Sequence, residues 1–393
     1  MEQPKSTCRE KFISLFMFAR KCAIFVGADV FNPNFRYTWM TWFVIISTNS
    51  FFVLSGYTIY VGVYIDKDWT AILQALCMVG SAVQGLAKLY SVTISKALYR
   101  QLYNEIDDVY KIYEQKHIQY QIALNNTTSI NTKFVKFIAC IYIFGTLILL
   151  SVPVLYLIIF GEKIFVMQFL IPGIDPKSDF GHLLMMVAHS TCILMGSFGN
   201  FAGDVFFFLF VLQLPLFKNI LKIKFEDLND VLNDTGEDSY EKTLPLLMDI
   251  LKWHQKYTTL TKTLSDVFYY VLFVEIFTTA LNIGMTIFIV ATGVWPAGYA
   301  YLIYSFTILY TYCGLGTLTD IANDDVCNYV YNICLWYRLS VSERKMLMMM
   351  LMKAQKPTLM TVGDVMPLSV TTALSMTKTI YSFLMMLLNF SEE

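Results

Sequence analysis

An all-α protein of seven membrane-spanning helices is encoded here. Three features predict it: too many apolar residues for a water-soluble core, a succession of charge-free runs long enough to cross a bilayer, and Lys and Arg gathered in alternate connections. Of the 393 residues, 56% are hydrophobic and only 15% charged, and the mean hydropathy is +0.53. A globular domain cannot hide that much apolar surface. The net charge of −1 implies no nucleic-acid partner, and no dense basic run marks a lipid-headgroup site; lipid itself is the solvent of the spans.

A span needs about 20 apolar residues, so the charge-free runs define the elements in order. Tyr37 to Ile65 is the first, between Arg36 and Asp66. Trp69 to Ala87 is the second, ended by Lys88, and Phe137 to Gly161 the third. Phe180 to Gly203 is the fourth, ended by Asp204, with "VFFFLFVLQLPLF" letting the helix continue. Nothing between Ile276 and Thr319 is charged, which predicts two spans joined at "GVWPAG", where Gly293, Pro296 and Gly298 break the helix. Val365 to Ser391, interrupted only by Lys378, is the seventh. Before them, Phe12, Leu15, Phe16, Ala19 and Cys22 recur at helical spacing, which predicts an amphipathic helix lying under the membrane rather than a cleaved signal.

Orientation follows from the basic residues, because cytoplasmic connections retain them. The N-terminal segment and the second, fourth and sixth connections carry six, five, seven and five Lys or Arg, whereas the other side carries Lys67, Lys163 and Lys177. The N-terminus is therefore expected inside and the C-terminus outside, opposite to a G-protein-coupled receptor. The sequons at Asn125, Asn126 and Asn233 then fall on the cytoplasmic side. All eight cysteines fall in spans or on the cytoplasmic side, so thiols rather than a disulfide framework are expected.

Catalytic signatures do not emerge. His117, His182, His189 and His254 have no HExxH spacing, no CxxC pair is present, and neither GxSxG nor a Walker loop occurs. No enzyme, metal or cofactor is implied. A seven-helix receptor acting through a cytoplasmic partner, or a transporter, stands as the alternative to a channel, although no inverted repeat favours the transporter. Four intramembrane charges, Lys88, Asp204, Glu275 and Lys378, need pairing, snorkelling or water. In the last run Thr372, Ser375, Thr379, Ser382, Met386 and Asn389 recur at steps of three and four, forming one stripe on a helix. Such a stripe meets either another helix or water. The aqueous alternative implies a pore shared by several subunits, closed at an apolar constriction and needing nothing after its lining helix.

The C-terminal stretch resembles the signature of insect odorant receptors. Its matching elements are Tyr331, Trp336-Tyr337, Arg344-Lys345, Ala354-Gln355-Lys356-Pro357, Gly363, Leu368-Ser369, Tyr381-Ser382 and Leu387-Leu388. Weaker likenesses are "GDVFFFLFVLQL", "WHQKY" and "YTYCGLG". The resemblance implies an odorant-gated, non-selective cation channel in olfactory sensory neuron plasma membrane, in which a tuning subunit assembles with a shared odorant receptor coreceptor, as a tetramer. The short connection between spans four and five lacks the coreceptor's insertion, so this chain resembles a tuning subunit. Carried onto this sequence, the family's gate falls at Met385 and Asn389, one residue from the stripe at Met386, with Asn389 departing from an apolar gate residue. The resemblance further implies an odorant pocket in the outer half of the bundle, among spans two to six. Its expected lining is Leu76, Met78, Leu149, Val152, Tyr156, His189, Tyr301 and Tyr304. The chain then divides into an N-terminal segment (1–38), spans one to six (39–320), a cytoplasmic intersubunit anchor (321–365) and the pore helix (366–393).

Overall fold

The structure, a computed structural model, describes residues 7–29, 31–32, 35–67, 70–167, 169–234, 239–293 and 295–392, with the backbone alone at 70, 239–241 and 387–392. Helix α1 (Cys8–Phe25) is followed by α2 (Trp39–Tyr60), which ends in a π turn over Val61–Ile65. Then come α3 (Thr70–Leu76), α4 (Val79–Ile94), α5 (Lys96–Tyr113), α6 (Ile118–Phe160), α7 (Asp179–Val211), α8 (Leu214–Asn233), α9 (Ser239–Ala291) and α10 (Gly298–Asn328). After α11 (Val341–Ala354), the two-residue strands β1 (Thr361–Val362) and β2 (Met366–Pro367) pair antiparallel and lead into α12 (Val370–Glu392).

The spans are α2, α3 with α4, α6, α7, α9, α10 and α12. Five of them are long and apolar enough to cross a membrane by composition; α10, rich in Tyr and Thr, and α12, with its hydroxyl stripe, complete the seven. Several are much longer than a bilayer. At about 1.5 Å per residue the 43 residues of α6 and 53 of α9 reach roughly two and nearly three times the hydrocarbon thickness, so their remainders, with α5, α8 and α11, build a second bundle at one end. Phe217, Leu221, Leu228, Leu247, Ile250 and Leu260 are fully buried there. Trp253 Nε1 donates to the Phe217 carbonyl at 2.9 Å and Tyr257 donates to Asn323 at 2.8 Å, so "WHQKY" ties α9 to α8 and α10.

Two expectations change. The second span is not ended by Lys88: it breaks between α3 and α4 and runs on to Ile94, with Lys88 buried inside it. A lysine ends a span only where it must reach water, and this one has partners. Nor is the apolar face of α1 free to meet lipid. Phe12, Phe16, Ala19 and Ala23 are buried, with Phe12 stacked on Tyr110 at 4.8 Å and Phe16 against Phe206 at 5.4 Å, so protein covers its apolar face. Its first turn is closed by a capping box, Glu10 N–H donating to Thr7 Oγ1 at 3.2 Å and Thr7 N–H to Glu10 at 3.0 Å.

Four of the C-terminal signature residues, Arg344, Gly363, Leu368 and Ser369, have structural roles. Arg344 donates to the carbonyls of Leu339 (2.8 Å) and Tyr337 (2.9 Å), fixing the turn before α11. Gly363 turns the β hairpin with φ +62°, where a Cβ would lie 2.6 Å from the Phe273 ring. Leu368 is buried, and Ser369 Oγ accepts from Thr372 N–H at 3.3 Å, capping α12.

Candidate functional site

Between α2, α4, α6, α7 and α10 lies a cavity of about 160 Å³, roofed in part by Met167 of the α6–α7 connection and closed at its base by the end of α1 and by Lys88. At roughly 10–15 Å³ per water-sized occupant it holds a molecule of about 11–16 heavy atoms. The connection is held over it by Trp295 Nε1 donating to the Val166 carbonyl at 3.1 Å and by Leu170 N–H donating to Thr58 Oγ1 at 2.7 Å.

The wall is largely apolar, and its polar groups are already engaged. Ser81 and Tyr301 hydroxyls are 2.5 Å apart, and Asn282 donates to Tyr301 at 3.1 Å. Thr146 and Ser197 bond each other at 2.8 Å, and Thr48 donates to the Val44 carbonyl at 2.8 Å. An occupant therefore gains mainly from apolar burial, with few exchanges of hydrogen bonds to orient it.

Beneath the cavity three of the intramembrane charges meet. Lys88 of α4, Asp204 of α7 and Glu275 of α9 are 4%, 0% and 1% exposed. Lys88 Nζ pairs closely with Asp204, lies 3.0 Å from Glu275 and donates to Asn200 at 3.2 Å. Asp204 also accepts from Tyr142 and, at 2.6 Å, from Tyr312, while Tyr304 donates to Tyr142 at 2.9 Å. Five helices thus share one charge cluster whose upper members, Lys88, Asn200, Tyr142 and Tyr304, line the cavity. Desolvating three charges is tolerable only with such partners.

Outside the bilayer, burial pushes the His254 imidazole down to about 4, with Lys353 adding to the effect. It is a neutral packing residue between α9 and α11.

Residues 68–381 match the sequence profile of the 7tm odorant receptor family. The chain belongs to that family. It is similar to putative odorant receptor 83c of Drosophila melanogaster, 27% identical over 399 residues that span 99% of this chain and 98% of the relative. The receptor's fold matches the insect olfactory receptor OR5 of Machilis hrabei in complex with eugenol, with TM-score 0.74, 14% identity and coverage of 96% of this chain and 99% of the other. A second structure of that olfactory receptor gives TM-score 0.71 at 13% identity, with the same coverage.

Of the residues expected in the receptor's pocket, Met78, Leu149, Tyr301 and Tyr304 line the cavity. Leu76 and Val152 are half-buried and do not line it, and the Tyr156 ring lies tilted against Phe160 at 4.6 Å. His189 is fully buried in the roof, its Nε2 donating to the Phe169 carbonyl at 3.0 Å. Span five contributes no lining residue; span one does, through Val44, Ser47, Thr48 and Phe51, as do Ala23 of α1 and Val26 and Ala28 just after it. Sequence reasoning also missed the small residues of α7. Cys192, Gly196, Gly199 and Gly203 at helical spacing opposite the lipid-facing Val187, Leu194 and Phe198 were the available signal.

The residues expected at the gate lie apart from this cavity. Thr379, Ser382, Met385 and Met386 of α12 are exposed, as is Lys378, which joins no ion pair among the described residues. The side chain of Asn389 lies outside the described residues. On the other side of the helix Ala373 and Ile380 are buried.

Proposed function

We propose that this chain is an odour-tuned subunit that binds a small volatile, largely apolar ligand in the cavity and opens a non-selective cation pore lined by α12. The observation that carries this reading is the cavity itself: an apolar chamber inside a seven-span odorant receptor, standing on a buried ion cluster. The subunit assembles with the odorant receptor coreceptor, as a tetramer, in the plasma membrane of olfactory sensory neurons, its N-terminus cytoplasmic and its C-terminus outside. OR5 of Machilis hrabei, a structure with the same fold, is an olfactory receptor in complex with eugenol, which supports a small-molecule occupant here.

Ligand energy opens the pore only through differential affinity for the open state. The contacts offer a route for it. Tyr301 and Tyr304 belong to α10, which holds α12 through the Tyr310–Thr377 hydroxyl pair at 3.1 Å and through Val370 N–H donating to Thr317 at 3.0 Å. Tyr301 also engages Asn282 of α9, two residues from Gly284, which lies against Ile380 and Phe383 of α12. A ligand that shifts α9 and α10 shifts the helices to which the gate residues Thr379, Ser382, Met385, Met386 and Asn389 are anchored. The test is whole-cell recording with and without the coreceptor against a panel of volatiles, with a tag on each terminus. Odorant-evoked cation current that needs both chains is expected; saturable uptake without unitary current, or an extracellular N-terminus, overturns the reading.

A further inference from the structure

We propose that four glycines in the cavity wall, Gly85, Gly145, Gly196 and Gly199, set the upper size of the molecule the cavity admits. This deepens the odorant-pocket reading and rests on it for the identity of the occupant. The bundle's helical glycines fall into distinct groups. At some, a Cβ would collide: with Asn282 Oδ1 at 2.3 Å for Gly80, Lys88 Cδ at 2.7 Å for Gly203, Val290 Cγ2 at 2.6 Å for Gly298 and the Leu368 carbonyl oxygen at 1.9 Å for Gly316. Those glycines let one element approach another.

Gly203 also lines the cavity, where it makes room for Lys88, but the other four glycines of the wall behave differently. A Cβ at Gly85 would come no closer than 3.8 Å to Asn200, at Gly145 3.9 Å to Tyr304, at Gly199 4.0 Å to Val26, and at Gly196 it would meet nothing within 4 Å. All four line the cavity. Gly56 and Gly314 have open space as Gly196 does, and Gly284 has equally loose contact at 3.9 Å to Ile380, but none of these three lines it. A glycine inside a helix is conformationally costly, and at these four positions no tight packing offsets the cost. What the missing methyls leave is chamber volume, contributed from α4, α6 and α7. Gly196 stands one turn from Cys192 and from Asn200, both in the wall, so a side chain there projects straight into the space. Ligand selection by size then follows from close packing: a cavity accepts volume up to its wall and rejects the next methylene by strain.

Cys192 provides a readout that does not depend on gating. It is a free thiol lining the cavity, whereas Cys140 is an exposed free thiol on α6. The experiment labels the full receptor, co-expressed with coreceptor, with alkyl methanethiosulfonates from methyl to hexyl and quantifies both cysteines by mass spectrometry. Gly196→Leu is expected to slow hexyl labelling of Cys192 by about tenfold or more, to spare methyl labelling and to leave Cys140 unchanged; Gly196→Ala and Gly85→Ala shift the cut-off in the same direction by less. Gly196→Ala should hold the wild-type thermal midpoint, while Gly80→Ala lowers it. An unchanged length profile in Gly196→Leu overturns the proposal, as does a Cys192 that even the methyl reagent fails to reach in the wild type. Currents evoked by a homologous series of n-alkyl alcohols then test the occupant separately. A labelling cut-off that moves while alcohol selectivity stays fixed supports the glycine assignment and removes the odorant reading of the cavity.

Discussion

Lys88 is the cation of the buried ion cluster. It faces Asp204 and Glu275 inside the bilayer, so Lys88→Met leaves two buried carboxylates side by side, and a loss of about 3–5 kcal/mol of stability is expected. Adding Glu275→Gln should restore part of it, because one of the uncompensated charges is then gone. The thermal midpoint of purified receptor checks both; a double variant no more stable than Lys88→Met would show that the cluster is not held by charge. His254 acts through pH. Its pKa is about 4 in the fold against an ordinary 6.5, so the unfolded chain binds more protons between those values and stability rises with pH there. The stability is fully present above about pH 6.5 and is lost as pH falls towards 4. Between pH 7.5 and 5 the loss amounts to about 2 kcal/mol, and His254→Gln should flatten that part of the profile relative to wild type.

Among the elements, α10 and α11 yield the clearest contrasts. Gly316→Ala would drive a methyl into the Leu368 carbonyl, whereas at Gly314, two residues away, nothing stands within 4 Å. The first should prevent α12 from docking and abolish surface expression; the second should be neutral or stabilise by up to about 1 kcal/mol through helix propensity. On α11, Met348, Met349 and Met352 are 62%, 63% and 60% exposed, while Met350 is 4% exposed. An unpartnered apolar face of that kind suits an intersubunit contact. Glutamate at the three exposed methionines should leave protomers folded but unable to co-purify with coreceptor, whereas Met350→Glu should reduce the protomer itself; normal assembly of the triple variant would refute the anchor role. The elements themselves were largely legible in the sequence, because charge-free length and loop breakers are local properties: "GVWPAG" separates α9 from α10 as its Pro and Gly require. What was not legible is which distant positions meet. Nothing near Lys88 announces Asp204 and Glu275, so a paired lysine read as the end of a span. Likewise the cavity takes its wall from α1 and α2, whose own patterns speak only of apolar faces, and glycines that pack cannot be told from glycines that leave space until neighbours are placed.

For the whole molecule the decisive geometry is that of α12. Ala373 and Ile380 pack inward, and Thr372 at the head of the stripe is buried with its hydroxyl donating to the Pro367 carbonyl at 2.7 Å, while Ser375, Thr379, Ser382 and Met386 on the far side of the helix are exposed, so beyond its first residue the polar stripe turns away from the protomer's own bundle. Thr379 and Ser382 donate to the carbonyls of Ser375 and Lys378, each at 3.1 Å, which satisfies the hydroxyls within the helix. They can thus line a passage that is alternately wet and dry without an orphaned donor in the dry state. Lys378 is exposed beside the stripe, and a positive charge near a cation path opposes conduction through Coulomb repulsion that salt screens. Lys378→Gln should therefore raise unitary cation conductance in the heteromer at low ionic strength, with the gain shrinking as salt increases. Met386→Ala should widen the constriction and raise basal current, and Asn389→Leu should alter relative cation permeability, all with surface expression intact. If single-channel records show none of the three changing permeation, the exposed stripe is a packing face between subunits and the ion path lies elsewhere in the assembly.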